Sequence, residues 1–199
     1  MIPAGEVLAL RDEWSLRPDV IEKDYVLGWL LAGIANAPEL ATTWIFKGGT
    51  CLRKCYYETY RFSEDLDFTV INGGPEEPND LVRIFAGVAS WLAEAAGIDL
   101  VVDEHSFARR RNRRGAPTTM GRIAFAGPSR PPQLPKVKID LTSDEVLVDA
   151  PTPRRITHPY SDGPLQVGTT ACYSLEELFA EKLRALAERC RPRDLYDVV

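Results

Sequence analysis

The chain is poor in the residues that build metal-thiolate and imidazole sites. It has four cysteines, at positions 51, 55, 172 and 190, and two histidines, His105 and His158. No Cys-x-x-Cys pair occurs, so no zinc constellation is visible and the cysteines read as reduced core thiols. The isolated histidines offer no Ser-His-Asp arrangement. No Gly-x4-Gly-Lys-Ser/Thr run is present, which excludes a Walker A loop. Long hydrophobic runs are missing as well. The longest apolar stretch, Val26 to Ala37, is interrupted by glycines and too short to span a bilayer. It reads as a buried helix begun near Pro18 and Asp19. Glu6, Arg11 and Asp12 near the start predict no signal peptide. A net charge of −5 argues against a general nucleic-acid coat. No internal repeat is evident. These absences predict a cytoplasmic α/β protein large enough to bury a good core.

What is present centres on two segments, Phe46-Lys47-Gly48-Gly49-Thr50 and Ser63-Glu64-Asp65-Leu66-Asp67-Phe68. Asp65 to Val70 alternates, and residues i and i+2 share one face of a strand. Asp65 and Asp67 therefore point together, with Leu66 and Phe68 toward a core. Two like charges side by side call for a cation. Mg²⁺ suits such a site, since it binds through one or two carboxylates, substrate phosphates and water. The glycines follow a predicted strand, Thr43 to Phe46, and precede a predicted helix, Cys51 to Tyr57. A strand–Gly-Gly–helix junction leaves backbone N–H groups free for an anion; it is also an ordinary way to turn.

A third acid, Asp140, lies in Lys136 to Leu141, where Val137, Ile139 and Leu141 make one face and Lys136, Lys138 and Asp140 the other. An acid flanked by lysines fits a metal and triphosphate site. It equally fits an exposed edge strand, because lysines protect edges. Further on, Ser174-Leu175-Glu176-Glu177 reads as a capping box. In the helix it opens, Leu175, Leu178, Phe179, Leu183 and Leu186 form an apolar stripe, and Lys182 falls in its middle. A buried lysine needs a partner, such as a phosphate or a site carboxylate; a lysine that snorkels would also fit. Asp194 and Asp197 then share a face in the first turn of a last helix.

The remaining organisation is α/β. Helices are predicted at Pro18–Ala37 and Asp80–Ala96, and strands near Ile98–Asp103, Arg122–Phe125 and Lys136–Leu141. Between the first two of these strands runs a basic loop containing Arg109, Arg110, Arg111, Arg113 and Arg114, which can contact a phosphate backbone or an acidic protein, and which equally fits a solvated or disordered loop. Gly127 to Pro135 reads as a hairpin or longer loop. A Pro-rich stretch from Pro151 to Pro164 links the sheet to the Lys182 helix. This divides the chain into a lobe over residues 1–150 and a linker with a helical lobe over 151–199.

In order along the chain, Glu22-Lys23-Asp24-Tyr25, Lys47-Gly48-Gly49-Thr50, Arg61 through Phe68, the Lys182 helix and Arg193-Asp194-Leu195-Tyr196-Asp197 resemble the AbiEii/AbiGii-type nucleotidyltransferase toxins of the DNA polymerase beta-like superfamily. The resemblance implies an α/β (α+β) nucleotidyltransferase fold, with a mixed sheet flanked by helices and a C-terminal helical lobe. It implies an NTP-dependent toxin that uses Mg²⁺ (or Mn²⁺) to add nucleotides to RNA at tRNA 3′ acceptor ends, blocking translation in phage defence. A cognate antitoxin and no membrane association go with it. Asp65 and Asp67, with Asp140, would hold the metal. Gly48, Gly49, Thr50, Ser63 and Lys138 would position the nucleotide. Lys182 would neutralise phosphate charge, Asp194 would orient it or a substrate group, and the arginine run would take the RNA. Transfer to a small molecule or a protein, or a non-catalytic binding module, are the alternatives.

Overall fold

Two helices and one sheet account for most of the core, and each follows from a hydrophobic period. The computed structural model describes residues 1–58, 61–112, 115–163, 168–189 and 195. Helix α1 covers Ala4–Trp14, ahead of α2 (Pro18–Asn36), which opens with Pro18 at its first turn. From Ile21 to Ile34 only Lys23 of α2 escapes full burial. A short α3 (Pro38–Ala41) leads into the sheet. Helix α5 (Pro78–Ala96) is amphipathic, with Leu81, Ile84, Phe85, Val88 and Leu92 buried at spacings of three and four. Gly97, with φ of 67°, closes it in the left-handed conformation that favours glycine. The two long helices pack closely at Gly33, where an added Cβ would lie 2.5 Å from Leu92 Cδ1.

The strands are β1 (Trp44–Lys47), β2 (Asp65–Val70), β3 (Asp99–Val101), β4 (Phe107–Arg111), β5 (Pro117–Ala126), β6 (Lys136–Thr142), β7 (Thr152–Arg155) and β8 (Thr169–Cys172). They form one sheet in the order β3-β5-β6-β2-β1-β8-β7, with β4 pairing β5. The sheet is mixed: β2 runs antiparallel to β1 and parallel to β6, and β1 runs parallel to β8. Leu66, Phe68, Val137, Ile139 and Leu141 are fully buried on one face of β2 and β6, against the helical layer. Helix α4 (Gly48–Cys51) follows β1 and continues as a π-helical turn over Leu52–Tyr56. Helix α6 (Leu175–Arg189) follows β8.

Several expectations need correction. The segment around Asp140 is no edge strand, because β6 lies between β5 and β2. Arg109, Arg110 and Arg111 are not in a loop; they end β4, paired with Thr119, Thr118 and Pro117 of a β5 that starts earlier than expected. The Pro-rich link to α6 carries β7, and β8 joins β1 beyond it. The sequence reading also missed α1. The turn from Gly127 to Pro135 does connect an antiparallel pair, as expected of a hairpin. No helix among the described residues is long and apolar enough to cross a membrane.

Candidate active site

The register of three central strands builds the site. Lys47 on β1 lies opposite Asp67 on β2, and Asp67 lies beside Asp140 on β6. A row of Lys47, Asp67 and Asp140 therefore crosses the sheet on the face away from the helical layer. In the adjacent row Asp65 lies beside Lys138. The three expected carboxylates thus come together. Lys138 sits among them: its ammonium bonds Asp140 and lies 4.0 Å from Asp65. Asp67 pays for this crowding with its acidity. Burial, then the charges of Asp140 and Asp65, push its carboxyl up to about 6, although Lys47 and Lys138 pull the other way. A carboxylate that resists ionisation beside two others is one that a divalent cation would relieve. The donor set is all oxygen, which suits Mg²⁺ or Mn²⁺.

The glycine turn packs directly on this row. Gly48 has φ of 80°, and a Cβ there would collide with the Asp67 carboxylate. At Gly49 a Cβ would sit 3.1 Å from Ser63 Oγ and 3.5 Å from Arg61 Nη2. No side chain caps α4, so the first N–H groups of this helix have no capping acceptor. Thr50 is fully buried, and its hydroxyl donates to the Asp65 carbonyl at 2.5 Å. It ties the turn to β2, the strand that carries Asp65 and Asp67.

Sequence reasoning missed a second set of residues around Lys47. This lysine is buried, and its ammonium bonds Glu145 and approaches Glu181 of α6 at 3.4 Å. Glu145 also accepts from Thr69 and Thr142, each at 3.0 Å. Burial opposes the charge of Glu145, yet Lys47 and these hydrogen bonds hold its carboxyl below the ordinary range. Burial instead raises the Glu181 carboxyl, which Lys47 only partly offsets. The Tyr173 hydroxyl closes the group, 2.7 Å from Thr69 Oγ1. Strand alternation was the available signal: Phe46 and Phe68 belong to the core, so the next residue on β1, Lys47, and the preceding one on β2, Asp67, both face away from it.

The other expected residues are dispersed. Lys182 is half-buried on α6, next to the Glu181 that reaches Lys47. Leu183, expected on the apolar stripe, is 58% exposed. Ser174 caps α6 by accepting from the Glu177 N–H at 3.1 Å, but the Glu177 carboxylate bonds Val148 N–H instead of closing the box. Asp194, Arg113 and Arg114 lie outside the described residues. Arg109 bonds Glu77 and approaches Glu76 at 3.3 Å, Arg111 donates to the Gly115 carbonyl, and Arg110 is exposed. The strand bearing them is separated from β2 by β5 and β6. The Glu22-Lys23-Asp24-Tyr25 segment makes tertiary ties: Glu22 to Ser129 N–H, Lys23 to Glu64, Asp24 to Arg53 and Lys54, and Tyr25 to Asp162.

A glycine turn that opens a helix beside an Asp-x-Asp strand, with a third aspartate on the parallel neighbour, defines a nucleotidyltransferase-type fold. A solved structure of MenT4, a nucleotidyltransferase toxin from Mycobacterium tuberculosis H37Rv, shares it with a TM-score of 0.64 at 21% identity. The match covers 99% of this chain, which spans 63% of the MenT4 chain. No curated protein matches by sequence. The profile of the AbiEii nucleotidyl transferase toxins of type IV toxin–antitoxin systems matches residues 29–199, and the chain belongs to that family.

Proposed function

We propose that this protein is a toxin that transfers nucleotides from an NTP to RNA, at a tRNA 3′ acceptor end, and so blocks translation in the cytoplasm. The observation that carries the reading is the row of Lys47, Asp67 and Asp140 with Asp65 beside it, packed against Gly48. Asp65, Asp67 and Asp140 would hold Mg²⁺ or Mn²⁺. A divalent ion bound there supplies charge neutralisation for the attacking and leaving oxygens. Gly48, Gly49 and Ser63 position the triphosphate, and Thr50 fixes the turn. Lys138 and Lys182 offset phosphate charge, and Asp194 orients Lys182. The RNA 3′-hydroxyl attacks the α-phosphate and pyrophosphate leaves, so the residues act by positioning and electrostatics. The arginines from Arg109 to Arg114 guide the RNA. Residues 1–150 form the transfer lobe, and residues 151–199 bring α6 to it. A cognate antitoxin is the expected protein partner.

The test incubates the protein with labelled NTPs, Mg²⁺ and total RNA. Label in tRNA that is lost in Asp65→Ala supports the reading. Label in protein or a small molecule would redirect it, and no Mg²⁺-dependent pyrophosphate release would remove it.

A further inference from the structure

Three thiols meet behind the glycine turn. Cys51 ends α4, and Cys55 lies one turn further on in the π-helical segment, so the two share a helix face. Cys172 ends β8, opposite Phe46 of β1. Its sulfur and those of Cys51 and Cys55 lie within 4.8 Å of one another. At a metal–sulfur distance of about 2.3 Å, thiolates that share one ion stand roughly 3.8–4.0 Å apart. The three sulfurs therefore need to close by less than about 1 Å, within reach of side-chain rotation. Cys51 and Cys172 are fully buried, and Cys55 keeps 9% exposure, so it forms the solvent edge of the cluster. Hydrogen bonds with Cys172 and Cys51 pull the Cys55 thiol well below its ordinary range, and the charges of Lys54 and Arg154 add to this against burial. Arg154 of β7 is held there over the Tyr56 ring, 4.4 Å from its centroid.

One buried cysteine is a small core hydrophobe, and a disulfide uses two. Three converging sulfurs form a donor set that soft cations select. We propose that Cys51, Cys55 and Cys172 bind one thiophilic closed-shell cation, Cu⁺ or Zn²⁺, in three-thiolate coordination. The two ions share this donor chemistry and are separated by experiment. Zn²⁺ takes a water as its fourth ligand, at the Cys55 edge. Each thiol that ligates releases its proton to solvent, and Arg154 offsets charge left on the thiolates. The site is separate from the carboxylate row, whose oxygen donors suit Mg²⁺ or Mn²⁺, and it does not rest on the transfer reading. Its place gives it a structural effect. Cys51 follows Thr50, which is bonded to β2, and Cys172 precedes Tyr173, whose hydroxyl meets Thr69. A bound ion joins the helix of the glycine turn to β8 and braces the turn from behind.

The experiment titrates the reduced full chain without oxygen, with excess Mg²⁺ present to compete for the carboxylates. One arm adds Cu⁺ against a chromogenic Cu⁺ chelator. The other adds Co²⁺, a coloured stand-in for Zn²⁺, and then displaces it with Zn²⁺. One equivalent should bind in at least one arm and bring up thiolate-to-metal charge-transfer absorbance. At a hundred times Kd the ion should raise Tm by about 5–10 °C. Cys55→Ala removes the least buried ligand and should weaken binding at least about a hundredfold, beyond the loss of an outer-shell partner. Asp67→Asn should bind the ion as wild type does, and so should Cys190→Ser, whose site lies outside the described residues. Melting of the metal-free variants checks their folding, and Cys172→Ala is the second ligand deletion. Tighter binding in one arm assigns the site to that ion. No charge-transfer absorbance in either arm overturns the proposal. So does binding that survives both ligand deletions, or that is lost in Asp67→Asn and kept in Cys55→Ala, which returns the ion to the carboxylates. A failed transfer assay leaves this site standing.

Discussion

Asp67→Asn should stabilise the metal-free protein while abolishing transfer. The folded carboxyl is pushed up to about 6 by burial and its acidic neighbours, whereas an unfolded aspartate titrates near ~3.9. Between these values the folded state binds the proton more tightly, so unfolding free energy falls as pH rises through the window and stays reduced above it. At about 1.4 kcal/mol per pKa unit, the ionised carboxylate destabilises the metal-free fold by at most about 3 kcal/mol at neutral pH. Asparagine keeps the shape against Gly48 and removes the charge. For a chain of this size each kcal/mol moves Tm by about 2–4 °C. The variant should therefore melt up to about 10 °C above wild type at pH 7.5 without metal. The assay is thermal melting of both proteins from pH 4 to 8, with and without Mg²⁺. The difference should vanish near pH 4, where the wild-type carboxyl is protonated. Mg²⁺ should raise the wild-type Tm more than that of the variant. A variant that melts lower than wild type at pH 7.5 would refute the crowding argument.

Four further outcomes are expected. Lys138→Ala should tighten Mg²⁺ binding severalfold by calorimetry while slowing transfer, because its ammonium already sits among the carboxylates; weaker Mg²⁺ binding would count against that role. Lys47→Met removes the buried cation between Glu145 and Glu181 and leaves the more distant Arg184, at 3.9 and 3.8 Å, to answer them, and chemical denaturation should show a loss of about 2–4 kcal/mol; a neutral result would mean that Arg184 and solvent screen the pair. Lys182→Ala should lose turnover with Tm shifted by less than about 2 °C, and full turnover would return this lysine to a packing role. Neutralising Arg110 and Arg111 should flatten the salt dependence of RNA binding by roughly 1.4–1.8 in slope and leave Mg²⁺–NTP affinity intact; parallel slopes would assign the run to another partner.

Much of this was legible because strong periods leave few options. Helices α2 and α5 follow from long apolar patterns, and β2 and β6 from strict alternation that also sets which carboxylates share a face. The pairing that brings Asp140 beside Asp67 is suggested only by the chemistry of the acids, since no local pattern encodes a partner seventy-odd residues away. Strand β4 was hidden by its arginines, which suggest solvent and not a ladder. Strands β7 and β8 have four residues each and sit among prolines and turns. Glu145 comes from a loop and has no periodicity to betray it. On α6 the apolar stripe draws attention to Lys182, whereas the neighbouring Glu181, which no stripe marks, reaches Lys47 on β1.

The hydrogen bond from Thr50 to the Asp65 carbonyl has a consequence for how such a site can be silenced. The turn, the two acid-bearing strands and their shared row are cross-braced, so the reactive geometry exists before any ligand arrives. Bending it would break an interior sheet. An inhibitor of this protein, natural or designed, therefore gains little by warping the centre and most by standing in its entrance.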